Sequence, residues 1–375
     1  MNYTRLILSI FYLSLSCRPL TNSKIKEGLV EPMTYDSMHN AFTEEVFKSA
    51  NPFVHPETKK TKDIDIVYRV YNPLKQKDLI KASPVATVII HQGRRESMYH
   101  YESFVDKLVK KGIRVLLFDM RGQGQSTHLL ENRYKGHVGN FQNYIEDLQQ
   151  FTTLIKSKGY VHDNDPLYLY GHSTGGLIAA AYLFKTIPEQ IPFKGVILSS
   201  PYLGQPIKVD IAKLLCNKPL SWANPNTPEN AQFPKDYTFT HTSSKEEQLK
   251  IENIFKDHQE VQLHEPTCGW VIETSQAQNW LYSLLRKAVK NKEYSIAPKT
   301  PIMVLYGTED EYLSIGYLSP FCQLINRLSQ SNEPKCHLLE FPGARHALYL
   351  ERDMKSANVH RSVMEHIFSF ILDHS

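Results

Sequence analysis

A serine between two glycines (Gly171, Ser173, Gly175), an aspartate at 310 and a histidine at 346 follow one another along the chain. These residue types are the ones nucleophilic catalysis requires. A serine hydroxyl attacks poorly until a base removes its proton, and the base needs a carboxylate to fix its tautomer and orientation. Gly-x-Ser-x-Gly alone is a weak signal, because glycine and serine are common and chance matches occur. Its setting makes it specific. "PLYLY" before it reads as a strand and "GLIAAAYLFK" after it as a helix, the strand–turn–helix in which a sharp backbone exposes a nucleophile. The ordinary alternative is a plain Gly/Ser turn.

The partners are chosen by position. "YGTEDEYLS" follows a strand-like run, Pro301 to Gly307, and offers Glu309, Asp310 and Glu311. Asp310 stands three residues beyond the glycine that ends the strand and is the better acid. Among 16 histidines, His346 follows a Pro-Gly turn directly after a strand-like run, Lys335 to Gly343. His172, inside the serine turn, reads as a packing residue. The negative charge that develops on attack needs amide donors. Thr174 N–H, at the start of the following helix, is the first. The second comes from the turn "HQGRRES" after an earlier strand, where Gly93 lets backbone approach substrate and Arg94 offers its N–H. The guanidinium groups of Arg94 and Arg95 are open to two readings, an anion site or ordinary surface charge. "FDMRGQGQS" looks chemical, but Asp119 and Arg121 read as pins for a loop after a strand.

Elements able to position these residues alternate from Asp63 onward. Strand-like runs lie at Asp63–Tyr71, Val85–Gly93, Ile113–Asp119, Pro166–Gly171, Phe193–Pro201, Pro301–Gly307 and Lys335–Gly343. Helical spacing appears between them, as in Phe104, Val105, Leu108 and Val109, with Asn140 as cap for a helix bearing Tyr144, Ile145, Leu148, Phe151 and Ile155. Alternation of this kind predicts an α/β fold, a mostly parallel sheet covered on both faces, with its site beyond the carboxyl ends of the strands. The division predicted is residues 61–203 and 298–375 as core, with a helical cap inserted over 204–297. Residues 18–60 read as a polar leader with local helix.

At 375 residues with a formal charge of +4 and scattered Lys and Arg, the chain lacks the basic stripe of a nucleic-acid binder. Arg5, an apolar run from Leu6 to Ser16 and then Cys17 resemble a secretory signal or lipoprotein signal over residues 1–17, implying export, to a periplasm or as a membrane-anchored lipoprotein. The alternative is an apolar N-terminal helix of a cytosolic or membrane-associated protein. Four further cysteines permit two disulfides, and Cys322 with Cys336 is the pair to test first. No Cys-x-x-Cys or His-rich cluster suggests a metal, and the chemistry calls for no cofactor.

The motifs "HQGRRES", "FDMRGQGQS", "GHSTGG", "YGTEDEYL" and "PGARHALYLE" together resemble the α/β-hydrolases, more closely the lysophospholipase and monoacylglycerol lipase branch of the serine aminopeptidase S33 type. "GRRES" and "GHVGNFQNYIEDL" are similar to bacterial lysophospholipases, and "PTCGWVIET" to that family's cap. The resemblance implies Ser173, Asp310 and His346 as triad and Arg94 and Thr174 as oxyanion donors. Gln92 stands where relatives often carry histidine. A lipid ester is then the expected substrate, met at a membrane surface, with Trp270 and Trp280 in the insertion as candidate lining of an acyl cavity. Two other classes compete. An aminopeptidase or amidase of the same fold needs a carboxylate to hold a substrate ammonium, with Glu246, Glu247, Glu252 and Glu260 available. A non-catalytic hydrolase-fold binding protein needs no triad.

Overall fold

A computed structural model describes residues 42–55, 58–73, 84–204, 238–264, 266–329, 333–352 and 354–372. The signal-like segment with Cys17, and also Cys216, lie outside the described residues. The strands are β1 (Phe42–Lys48), β2 (Phe53–Val54), β3 (Thr61–Lys62), β4 (Asp65–Tyr71), β5 (Ala86–His91), β6 (Ile113–Phe118), β7 (Leu167–His172), β8 (Gly195–Ser199), β9 (Ile302–Gly307) and β10 (Cys336–Phe341). Eight form one sheet in the order β1-β4-β6-β5-β7-β8-β9-β10. β4 runs antiparallel to β1 and β6, and every pair from β6 through β10 is parallel.

The inner strands are predominantly apolar because both of their faces are covered. In β5, Ile89 packs in one core, and Val88 and Ile90 in the other. The two-residue period repeats in β6, where Leu116 and Phe118 oppose Val115 and Leu117, and in β7, where Leu167 and Leu169 oppose Tyr168 and Tyr170. The first core is closed by α2 (Gln142–Ser157), α3 (Thr174–Lys185), α5 (Cys268–Asn291) and α6 (Leu318–Ser329). The second is closed by α1 (Glu102–Val109), α4 (Lys245–Asp257) and α7 (Val363–Leu372). The disulfide Cys322–Cys336 joins α6 to β10, with Cα atoms 5.0 Å apart.

Three expectations change. The leader holds no local helix over residues 42–48: they form β1, an edge strand paired with β4 along seven residues. "FTEEVFK" shows no clean alternation because one face of an edge strand meets solvent and long side chains. In the insertion the sequence pattern predicts a helix over Gln276–Val289, whereas helix α5 begins eight residues earlier, at Cys268, with Thr267 Oγ1 accepting Trp270 N–H at 3.2 Å as its cap. Asn140 Oδ1 does accept an amide, from Gln142 at 2.8 Å, but Phe141 holds the capping position of α2.

Candidate active site

At the end of β7 the chain reverses into α3 at Ser173, which sits at φ 51°, ψ −115°. A non-glycine residue in this region is strained, and such strain persists only where the surroundings impose it. Ser173 N–H donates to Ser199 C=O at 3.0 Å, and its own C=O accepts from Tyr202 N at 2.9 Å. The two glycines are explained by approach. A Cβ at Gly175 would stand 2.1 Å from the His91 carbonyl oxygen, and one at Gly171 would stand 2.6 Å from that of Gly175. Helix α3 can therefore press its first turn onto the end of β5 only without side chains there. Thr174, buried at the first helical position, presents an amide of the kind that lacks an intrahelical partner. The helix directs its partial positive charge to the same place.

His346 and Asp310 come together from the loops after β10 and β9. His346 Nδ1 lies 2.8 Å from Asp310 Oδ2, and Asp310 Oδ1 accepts the N–H groups of Tyr312 (2.9 Å) and Leu313 (3.2 Å). An ionised carboxylate only accepts, so Nδ1 carries the proton and Nε2 is left as the basic nitrogen. Burial pushes the Asp310 carboxyl up, but His346 beside it and the Tyr312 amide outweigh burial and hold it below its ordinary value. Its neighbours Glu309 and Glu311 are exposed. The His346 ring is 4.8 Å from that of His172, next to Ser173, so the serine turn and the His–Asp pair share one end of the sheet.

The turn after β5 faces the serine directly, since a Cβ at Gly93 would lie 3.1 Å from Ser173 Cβ. Its shape is imposed from below by Glu96, a residue within "GRRES" to which sequence reasoning assigned no role. Glu96 Oε2 accepts Gly93 N–H at 2.6 Å and also the Tyr101 hydroxyl. Oε1 accepts the Tyr349 hydroxyl at 3.0 Å and lies 3.2 Å from His172 Nε2. Burial works against the charge on Glu96, yet the His172 and His100 rings and the Tyr101 hydroxyl hold the carboxyl below its usual range. Gln123 closes the turn from the other side, donating to Gly93 C=O (2.8 Å) and Glu96 C=O (2.9 Å). His172 thus packs beside Ser173, and also bridges Glu96 to the neighbourhood of His346. Arg95 takes φ 69° in this turn.

Neither guanidinium of the turn is simple surface charge. Arg94 Nη1 donates to His264 C=O at 2.9 Å and Arg95 Nε to Leu263 C=O at 3.0 Å, both in the insertion. Trp270 is 5% exposed, stacked on Tyr202 at 6.1 Å, with the Arg94 guanidinium 5.3 Å from its ring. It therefore stands beside the turn that carries Arg94. Trp280 instead lies under Lys185, at the opposite end of α3 from Ser173. Asp119 pins its loop as predicted, accepting Met98 N–H (2.8 Å) and Gln125 N–H (2.7 Å). Arg121 instead reaches α2, binding Asp147 through two nitrogens at 2.6 and 2.7 Å. Among the described residues no cluster could hold a metal ion.

Burial gives this region a pH signature. His91 and His100 are pressed down to about 4 by desolvation, whereas an unfolded chain titrates its histidines near 6.5. As pH falls between these values, the unfolded state takes up protons that the folded state refuses. Stability is lost over that window, roughly 3 kcal/mol per histidine at its acid end. Asp119 acts the other way. Burial raises it to about 6, so it protonates first in the folded state and returns roughly 3 kcal/mol. The balance is a net loss, and thermal unfolding should show Tm falling steadily from pH 7 to pH 4.5. A Tm that stays level or rises would contradict neutral, buried histidines.

The family model for serine aminopeptidase, S33 matches residues 82–353. Phospholipase YtpA of Bacillus subtilis is 34% identical over 143 residues, covering 38% of this chain and 51% of that protein, about half of that relative's length. Lysophospholipase L2 of Escherichia coli is 25% identical over 290 residues, 74% of this chain and 78% of that protein. Among solved structures, a soluble variant of monoglyceride lipase from Saccharomyces cerevisiae superposes with a TM-score of 0.58 at 19% identity, covering 88% of this chain and 98% of that one. The likeness shows the α/β-hydrolase fold.

Proposed function

Because the chain belongs to the serine aminopeptidase S33 family of α/β-hydrolases, we propose that it cleaves the carboxylic ester of a single-chain lipid, a lysophospholipid or monoacylglycerol. The observation that carries the reading is the 2.8 Å His346–Asp310 pair at the same sheet end as a serine held at positive φ. Ser173 Oγ attacks the acyl carbonyl while His346 Nε2 takes its proton. The oxyanion is received by the N–H groups of Thr174 and Arg94. Collapse breaks the bond to the alcohol oxygen, which leaves with the proton from His346. Water, deprotonated by the same ring, then releases the fatty acid and restores Ser173. Asp310 keeps Nδ1 protonated and stabilises the imidazolium.

The four carboxylates named above for an ammonium group favour an ester over an aminoacyl substrate. Glu246 and Glu247 are engaged by Arg352, Glu252 accepts Phe239 N–H, and Glu260 pairs with His258. None of these four is left to hold an ammonium group. A panel of lysophosphatidylcholine, monoacylglycerol, p-nitrophenyl esters and aminoacyl amides tests the choice. The lipid esters should be turned over faster than the amides by at least about tenfold in kcat/KM. Preference for aminoacyl amides would overturn it.

Export to an oxidising compartment goes with this reading, supported by the signal-like first 17 residues and by the Cys322–Cys336 disulfide. Substrate would then be met at a membrane surface. Among the described residues no helix is long and apolar enough to cross a membrane.

A further inference from the structure

The insertion between β8 and β9 touches both catalytic loops through bonds that binding an acyl chain does not require. On one side it is tied to the turn that carries the second oxyanion donor. Arg94 and Arg95 send their guanidinium groups outward to the carbonyls of His264 and Leu263. That stretch is itself anchored on the core, with His264 N–H donating to Tyr134 C=O and Thr267 N–H to Gly136 C=O, both at 2.8 Å. Arg95 stands at φ 69°, a conformation uncommon for a residue that carries a side chain. The turn is therefore fixed from below by Glu96 and Gln123 and from above by the insertion.

On the other side, residues 240–243 grip the loop of His346. Glu351, 4% exposed, receives Arg345 N–H and Ser243 N–H on Oε1, each at 2.9 Å, and the Ser243 hydroxyl on Oε2. One carboxylate so joins the residue before His346 to the insertion. The residue after it is joined as well, because Ala347 N–H donates to His241 C=O at 2.7 Å. The His241 ring lies edge-on to His346 at 5.6 Å, and the Thr240 hydroxyl is 3.3 Å from that of Tyr312, in the loop of Asp310.

We propose that Arg94, Arg95 and Glu351 are positioning residues through which the insertion holds the oxyanion turn and the His346 loop in register with Ser173. The Arg94 role lies in its side chain and is separate from its backbone N–H. An insertion that served only to house an acyl chain would need to contact substrate. Here each clasp is aimed at a catalytic loop, and errors of about 1 Å in such loops cost on the order of 100-fold in rate. Catalysis by this enzyme then depends on the insertion even for a substrate too short to reach it.

The inference rests on the hydrolase reading, and the experiment separates the two. Wild type and Ser173→Ala are first compared on p-nitrophenyl acetate. Equal turnover would sink the hydrolase reading and the clasps with it. With that reading secure, Arg94→Met, Arg95→Met, Ser243→Ala, Glu351→Ala and Glu351→Gln are assayed on the acetate ester and on a long-chain ester, with thermal unfolding to select folded variants. Arg94→Met, Arg95→Met and Glu351→Ala are expected to lose about 10- to 100-fold in kcat on both esters, with KM for the acetate changed by less than about threefold. Glu351→Gln keeps an acceptor oxygen for both amides and should recover most of the loss. The acid limb of the kcat/KM–pH profile, which reports the base, should shift in Glu351→Ala and stay in place in the arginine variants. Ser243→Ala removes one hydroxyl bond and remains available if Glu351→Ala does not fold. Acetate kcat within about twofold of wild type in the folded arginine and Glu351 or Ser243 variants, with losses confined to long-chain KM, would overturn the proposal.

Discussion

Ser173→Ala should lower kcat on a lipid ester by about 10³-fold or more while leaving KM close to the wild-type value. In the proposed mechanism the hydroxyl forms the bond to the acyl carbon. The proposed binding surfaces and amide donors are untouched by this change, so the loss is expected in the chemical step. A fluorophosphonate probe should label the wild type at Ser173 and fail on the variant. His346→Ala should lose a comparable factor. The Ser173→Ala/His346→Ala pair should be little worse than either alone, because nucleophile and base act as one unit. Asp310→Asn should fall by orders of magnitude as well, since an amide donating to Nδ1 selects the wrong tautomer. Ester hydrolysis retained by Ser173→Ala, or correctly folded wild type that refuses the probe, would remove the serine-hydrolase reading and favour a binding protein on this fold.

Arg121→Met should be the most destabilising of the conservative changes away from the chemistry. The Arg121 side chain is fully buried and that of Asp147 is 3% exposed. Two of its nitrogens bind Asp147, one of which also donates to Ser49 Oγ at 2.7 Å, and the third donates to Asn51 C=O at 3.2 Å. These bonds join the loop after β6, helix α2 and the end of β1. Removing the cation leaves a carboxylate buried without its partner, which costs about 3–5 kcal/mol. Urea unfolding should show that loss, with catalytic constants of the folded fraction unchanged. Arg121→Met/Asp147→Leu should regain most of it, because removing both charges also removes the unpaired one. A single variant within about 1 kcal/mol of wild type would show that water reaches Asp147 and that the pair matters little.

The parallel core was readable because its cause is local. A strand covered on both faces must be apolar at every position, and the runs at 86–91, 113–118, 167–172 and 195–199 are nearly so. The edge is different. β1 joins the sheet through backbone pairing with β4, and backbone bonds leave little mark on side-chain identity. Helix α5 extends toward the site because Thr267 caps it, although its first turns carry no strong apolar period. Ser173 itself was legible, since strand, two glycines and helix are contiguous and each has a steric reason now visible in the approach of His91 and Gly175.

By itself the sequence determined the alternation of strand and helix, the serine in the sharp turn after β7, and an acid and a histidine after later strands. Those follow from periodicity and turn chemistry within about ten residues of each feature. Tertiary structure alone decided that Glu96 shapes the turn after β5, and that Arg94, Arg95 and Glu351 reach into the insertion. In each case the partners are brought together by folding: Glu96 meets Tyr349 across 253 residues, and Arg94 meets His264 across 170. A polar side chain shows its type in the sequence, but what it satisfies depends on which orphan donor or acceptor the packed chain delivers to it, and buried groups must be matched.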